Sequence, residues 1–281
     1  MRRALVLAGG GVAGIAWELG VLLGIRDEVP DLRPAVVEAD VVVGTSAGST
    51  VAAQITSGTD LATLFDRQLD PGTSEIEVTV DLVDLTARRA EATAGATSPQ
   101  DAQQRIAAWA LAVPTVEEAT RRAVVAARLP RPDWPDRTVL VPAVDAGTGE
   151  LTVFTRDSGV DLVDAVTASC AVPGIWPPAT INGRRYVDGG VRSGTNADLA
   201  QGSDRVLVIR PGMSDATAPL GDLADEIERL RPAEVLVVHA DEASVAAFGG
   251  NSLSPATRGP AARAGRAVGR ARAADVARFW A

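Results

Sequence analysis

The stretch Val41-Val42-Val43-Gly44-Thr45-Ser46-Ala47-Gly48-Ser49-Thr50 decides the fold. Three β-branched residues stop at a glycine, and a serine follows among small residues. A short apolar run bounded by turn residues reads as a buried strand. Gly44-Thr45-Ser46-Ala47-Gly48 then fits G-x-S-x-G, in which a serine sits on a sharp turn between strand and helix. Residues 46–57 are small and apolar, as a buried helix requires. Gly44 and Gly48 permit a tight turn, and the helix N-terminus behind Ser46 favours negative charge on its oxygen. A plainer reading makes Ser46 the N-cap of a buried helix. That reading leaves the two flanking glycines without a reason.

Upstream, the apolar run Ala4 to Ala8 ends at Gly9-Gly10-Gly11, and residues 12–29 carry Ile15, Leu19, Leu22 and Leu23 at helical spacing. Strand, glycine loop and helix, then strand, elbow and helix, predict an α/β sandwich of three layers with a mostly parallel sheet. Both loops then leave the carboxyl ends of strands, which is the edge where sites form in such sheets. Gly9-Gly10-Gly11-Val12-Ala13-Gly14 also has the spacing G-x-G-x-x-G of a dinucleotide fingerprint. That fingerprint calls for an acidic residue at the end of the second strand. Here the strand ends in Gly44-Thr45-Ser46, while Asp27, Glu28, Asp31 and Asp40 fall elsewhere. The loop has another use, because the N–H groups of Gly9, Gly10 and Gly11 at a helix start can hold a developing oxyanion. A nucleotide-binding module and a non-catalytic relative with a surviving elbow remain as readings of other classes.

Composition narrows the field. The 281 residues are 46% hydrophobic and 22% charged, enough apolar material for a sizeable core. A net charge of −9 disfavours nucleic acid and weakens attraction to an anionic membrane. One cysteine, Cys170, cannot make an internal disulfide and fits a reducing, cytoplasmic setting. With a single histidine beside it, a Cys/His metal site is not expected, and no cofactor is called for. The first residues, MRRALVLAGGG, superficially resemble a signal peptide, but the apolar run stops at Gly9. No run approaches the ~18 apolar residues of a membrane span, so any membrane contact is expected to be peripheral.

Residues 70–135 differ in texture. Helical runs at 80–92, 101–111 and 116–127 are punctuated by prolines, and the segment reads as a helical insertion, either a cap over the site or an ordinary helical layer. Strands resume at 138–145 and 151–155 around Ala146-Gly147-Thr148-Gly149, and a helix follows at 161–170. Residues 179–181 and 184–187 flank Asn182-Gly183, a strong hairpin signal. Strands are expected at 205–209 and 234–239, with an amphipathic helix at 220–230 between them. The Ala/Arg-rich tail from Pro255 reads as a helix of low apolar content, either a surface helix or a contact surface.

Two residues compete as proton acceptor for Ser46. Asp188-Gly189-Gly190 ends the second hairpin, and a carboxylate serves as general base if desolvation raises its pKa. It also reads as an ordinary D-G turn. His239 ends a later strand, and the order Ser46, Asp188, His239 matches the chain order of α/β-hydrolase triads. Against the triad, both the glycine loop and the elbow lie within the first fifty residues, and Ala240-Asp241-Glu242 looks like a plain helix start.

Jointly, the glycine loop, the elbow and Asp188-Gly189-Gly190 resemble the motifs of the patatin-like phospholipase family, in the same order. Ala168-Ser169-Cys170-Ala171-Val172-Pro173, Trp176-Pro177-Pro178 and Asn196 resemble the family's segments around that aspartate, and the likeness spans about residues 4–210. The resemblance implies a serine acyl hydrolase of lipid or small ester substrates, with Ser46 as nucleophile, Asp188 as base and no histidine. Gly9, Gly10 and Gly11 would form the oxyanion hole, supported by Gly14, Gly44, Gly48, Gly189 and Gly190. Two positions depart from the family's pattern. Ala13 stands where many members carry a basic residue, and Trp176 replaces a phenylalanine.

Overall fold

The computed structural model describes residues 1–30, 36–72, 74–80, 82–212 and 223–281. Eight strands form one sheet: β1 (Arg3–Leu7), β2 (Val41–Gly44), β3 (Thr138–Asp145), β4 (Leu151–Phe154), β5 (Ala179–Ile181), β6 (Arg184–Asp188), β7 (Arg205–Arg210) and β8 (Glu234–His239). Their order is β5-β6-β3-β2-β1-β7-β8, with β4 paired to β3 off this path. Strands β3, β2, β1, β7 and β8 run parallel, while β4 and β6 pair antiparallel with β3. The run Ala4-Leu5-Val6-Leu7 is buried throughout because it has a helical or turn layer on both sides. Leu5 and Leu7 join one core cluster, and Ala4 and Val6 join another on the opposite face.

Helices α1 (Gly11–Glu28), α2 (Ala47–Ile55) and α3 (Leu61–Leu69) follow the first two strands. Residues 70–135 supply α4 (Leu82–Thr93), α5 (Pro99–Ala112) and α6 (Glu118–Arg128). Then come α7 (Leu162–Ser169), α8 (Leu223–Arg229), α9 (Glu242–Phe248) and α10 (Arg258–Trp280). Of the helix expected over 220–230, residues 220–222 lie outside the described residues, as does Asp31. The three-layer α/β expectation matches what is seen. Within residues 70–135, Ile106, Ala107 and Ala110 of α5 pack on Val144 and Val187 of the sheet, and Val125 of α6 packs beside Val166 of α7. These two helices are packed against the body of the molecule.

The tail differs from a surface helix. α10 lies along α1 with backbones in contact, and a Cβ added at Gly20 would stand 2.2 Å from the Ala262 carbonyl oxygen. One added at Gly265 would stand 2.1 Å from that of Trp17. Ala261, Ala262, Val268, Ala273, Val276 and Trp280 of α10 are buried. A stripe of small residues buries a helix without raising its hydropathy, so apolar content alone places it on the surface. Arg266 closes the contact with two hydrogen bonds to Asp27, at 2.7 and 3.2 Å. Among the described residues no helix is long and apolar enough to cross a membrane.

Candidate active site

The sheet register brings the elbow and the aspartate together. Val43 of β2 lies opposite Leu140 of β3, and Asp188 of β6 lies opposite Ala143. β2 and β6 run in opposite directions along β3, so the last residues each pairs with it stop three residues apart, roughly 10 Å of strand. Ser46 and Asp188 close that gap, and Ser46 Oγ donates to Asp188 Oδ2 at 2.7 Å.

Ser46 is held in a left-handed conformation, φ 51° and ψ −114°, that side-chain-bearing residues rarely adopt. The surroundings over-determine it. Its N–H donates to Ser169 Oγ at 3.0 Å, and its carbonyl accepts from Ser49 Oγ at 2.6 Å and Cys170 Sγ at 3.1 Å. Gly48 lets the elbow press onto β1, where any Cβ would lie 2.0 Å from the Leu7 carbonyl oxygen. Both side chains are buried, with Ser46 8% and Asp188 4% exposed.

Burial pushes the Asp188 carboxyl up to about 6, because the charged form loses its hydration. The Ser46 hydroxyl, the Gly190 N–H on Oδ1 at 2.7 Å and the charges of Arg89 and Arg121 partly counter this. The strand end itself is anchored by the Asp188 N–H, which donates to the Ala171 carbonyl at 3.0 Å. A carboxylate poised near neutrality on a serine hydroxyl is arranged to take its proton.

The glycine loop needs one correction. The N–H of Gly9 donates to the Gly194 carbonyl at 2.8 Å, so it holds the loop and is not free for an oxyanion. The N–H groups of Gly10 and Gly11 have no acceptor among the described residues, and neither does that of Ala47, which follows the serine. All three residues border the cavity that Ser46 and Asp188 share, a space of about 270 Å³. Ala47 was legible in the elbow motif, which commonly aims that amide at an oxyanion.

Asn196 ties the two loops. Its Nδ2 donates to Thr45 Oγ1 at 3.1 Å, to the Gly189 carbonyl at 3.3 Å and to the Ser193 carbonyl at 2.7 Å. The structure does not bring His239 to Ser46. β8 stands beyond β1 and β7 from β2, about 14 Å away at ordinary strand spacing. His239 is not among the residues bordering the cavity. No group of three or more His, Cys, Asp or Glu side chains suited to a metal ion occurs among the described residues.

A family model described as patatin-like phospholipase matches residues 5–200. This chain belongs to the patatin-like phospholipase family. The family is one of lipid hydrolases, and its matched span holds the glycine loop, the elbow, Asp188 and Asn196. Among solved structures, VipD from Legionella pneumophila is similar at 13% identity with a TM-score of 0.49, over 98% of this chain and 67% of that one. The type III effector protein ExoU is similar at 14% identity with a TM-score of 0.40, over 97% of this chain and 53% of that one. No curated protein matches the chain.

Proposed function

We propose that this patatin-like chain is a carboxylic-ester hydrolase of lipid-like acyl esters that works through a Ser46–Asp188 dyad. The observation that carries the reading is the 2.7 Å bond from Ser46 Oγ to a buried carboxylate whose pKa is lifted to about 6. Asp188 Oδ2 takes the hydroxyl proton as Oγ attacks the ester carbon. The carbonyl electrons move to oxygen, where the Gly10, Gly11 and Ala47 amides receive the charge. Collapse expels the alcohol, which takes the proton from Asp188, and leaves an acyl group on Ser46. Water then attacks, again giving its proton to Asp188, and the second collapse frees the acid and restores the serine. The Gly190 N–H on Oδ1 keeps Oδ2 aimed at the serine throughout.

The test is hydrolysis of short and medium p-nitrophenyl esters, with a fluorophosphonate probe for the nucleophile. The wild type should turn over and label, and Ser46→Ala should do neither. A folded wild type that neither labels nor turns over sinks the reading in favour of a non-catalytic relative. Saturable micromolar binding of NAD or ATP would instead support a nucleotide module.

A further inference from the structure

Three arginines from residues 70–135, Arg89, Arg121 and Arg128, border the same cavity as Ser46 and Asp188. Arg121, on α6, is 3% exposed and stacks on Trp176, with Cζ 3.9 Å from the ring centroid. A guanidinium carries five N–H donors. Nε and Nη1 of Arg121 are buried without an acceptor among the described residues. Arg89, on α4, repeats the pattern with a buried, unpartnered Nε. Arg128 is different, since two hydrogen bonds of 2.7 and 2.6 Å tie it to Glu75. Buried charged donors are costly to leave unmade, and native folds rarely tolerate them without a reason. Burial pushes Arg121 down only to about 10, so it stays cationic at neutral pH. Among the described residues neither Arg89 nor Arg121 makes an ion pair, although both act on the Asp188 carboxylate through space; with the chain as a whole at −9, two such cations on one cavity are not the by-product of a basic surface. The glycine loop adds no cation, Ala13 being the residue before Gly14.

We propose that Arg121, aided by Arg89, forms an anion subsite that holds an oxyanionic group carried by the ester substrate itself, beside the scissile carbonyl. The inference rests on the ester-hydrolase reading above. The planar guanidinium of Arg121, pinned by Trp176, suits a charge-assisted hydrogen bond to a phosphate-like group. Neutral esters of the same acyl chain then lack a partner for these donors and bind less well.

Monobutyryl glycerol 3-phosphate and monobutyrin differ only in the phosphate. Their kcat/KM ratio is measured for wild type, Arg121→Gln, Arg121→Lys and Arg89→Gln, each checked by circular dichroism. Wild type should prefer the phosphate ester. Arg121→Gln should erode the preference by about 10- to 100-fold, mainly through KM. Lysine should restore part of it, and Arg89→Gln should cost less. A ratio that moves less than threefold in both folded glutamine variants overturns the subsite, as does an equal loss on both esters, which would assign the arginines to the reaction's own oxyanion. Inorganic phosphate should compete with the phosphate ester. Phosphate that alters both reactions without competing would assign the site to a free anion and overturn the substrate form. If Arg121→Gln does not fold, Arg89→Gln and the phosphate competition decide. If wild type cleaves neither ester and Ser46 does not label, the hydrolase reading has failed. Calorimetry with inorganic phosphate then judges the subsite alone, and no binding to wild type overturns it.

Discussion

Asp188 and His239 both end a strand of the same sheet, and both are partly or wholly withdrawn from water. Burial leads the shift in each and favours the neutral form, lifting the aspartate to about 6 and lowering the histidine. Their neighbours differ. Asp188 meets a serine hydroxyl, a glycine N–H and the field of two arginines. His239 sits in the field of Arg210 and Arg272, on the far side of two parallel strands. Chain order Ser–Asp–His is common to both arrangements one could draw from the sequence. Sheet order separates them, because the antiparallel β6 meets β2 along β3 while β8 adds outward beyond β7.

The largest effect belongs to Asp188→Asn. Ester hydrolysis should fall by about 1,000-fold or more, since the serine loses its proton acceptor. The same change should stabilise the fold at pH 8 by up to about 3 kcal/mol, because a carboxyl lifted roughly two pKa units opposes folding once ionised. The sign follows from the raised value. The proton favours the folded state below about pH 4, and that contribution is lost as pH rises through about 6. Urea melts of both proteins at pH 5 and pH 8 check it, and a variant no more stable at pH 8 would break the contrast. Wild-type kcat/KM should likewise rise with pH through a midpoint near 6. A midpoint near an ordinary carboxylate would show that Asp188 is not desolvated during turnover.

Asn196→Ala comes next. Three hydrogen bonds that tie the elbow residue Thr45 to the Gly189 loop would go. Turnover should drop by about 10- to 100-fold with little change in KM, since alignment and not binding is lost. Unfolding should become easier by about 1–3 kcal/mol. Steady-state kinetics with parallel melts separate the two, and unchanged turnover in a folded variant would remove Asn196 from the positioning of the site.

His239→Ala should do least. Activity should stay within about twofold of wild type, as for a side chain away from the reacting groups. The pH midpoint should not move. A folded variant with activity abolished would break the comparison outright and return the histidine to the site.

Much of this was open in the sequence because it is local. The VVVG run, the glycine loop and the small-residue helix each report strand, turn and helix within ten residues, and the strands at 138–145 and 234–239 match residue for residue. Gly48 was legible for the same reason, since only glycine tolerates the approach of Leu7. α10 was less so. Its burial depends on two facing glycine stripes, and a helix that buries backbone shows no apolar face.

By itself, then, the sequence determined the layer architecture, the serine on its strained elbow and the pair of candidates for its base. Tertiary structure alone brought Asp188 and not His239 to Ser46, tied the Gly9 amide to Gly194 and set Arg89 and Arg121 on the cavity. The physical reason is distance along the chain. Propensity and turn chemistry act over a few residues. The register that joins position 46 to position 188, and the packing that leaves Arg89 and Arg121 beside them with donors unpartnered among the described residues, exist only once the sheet has closed.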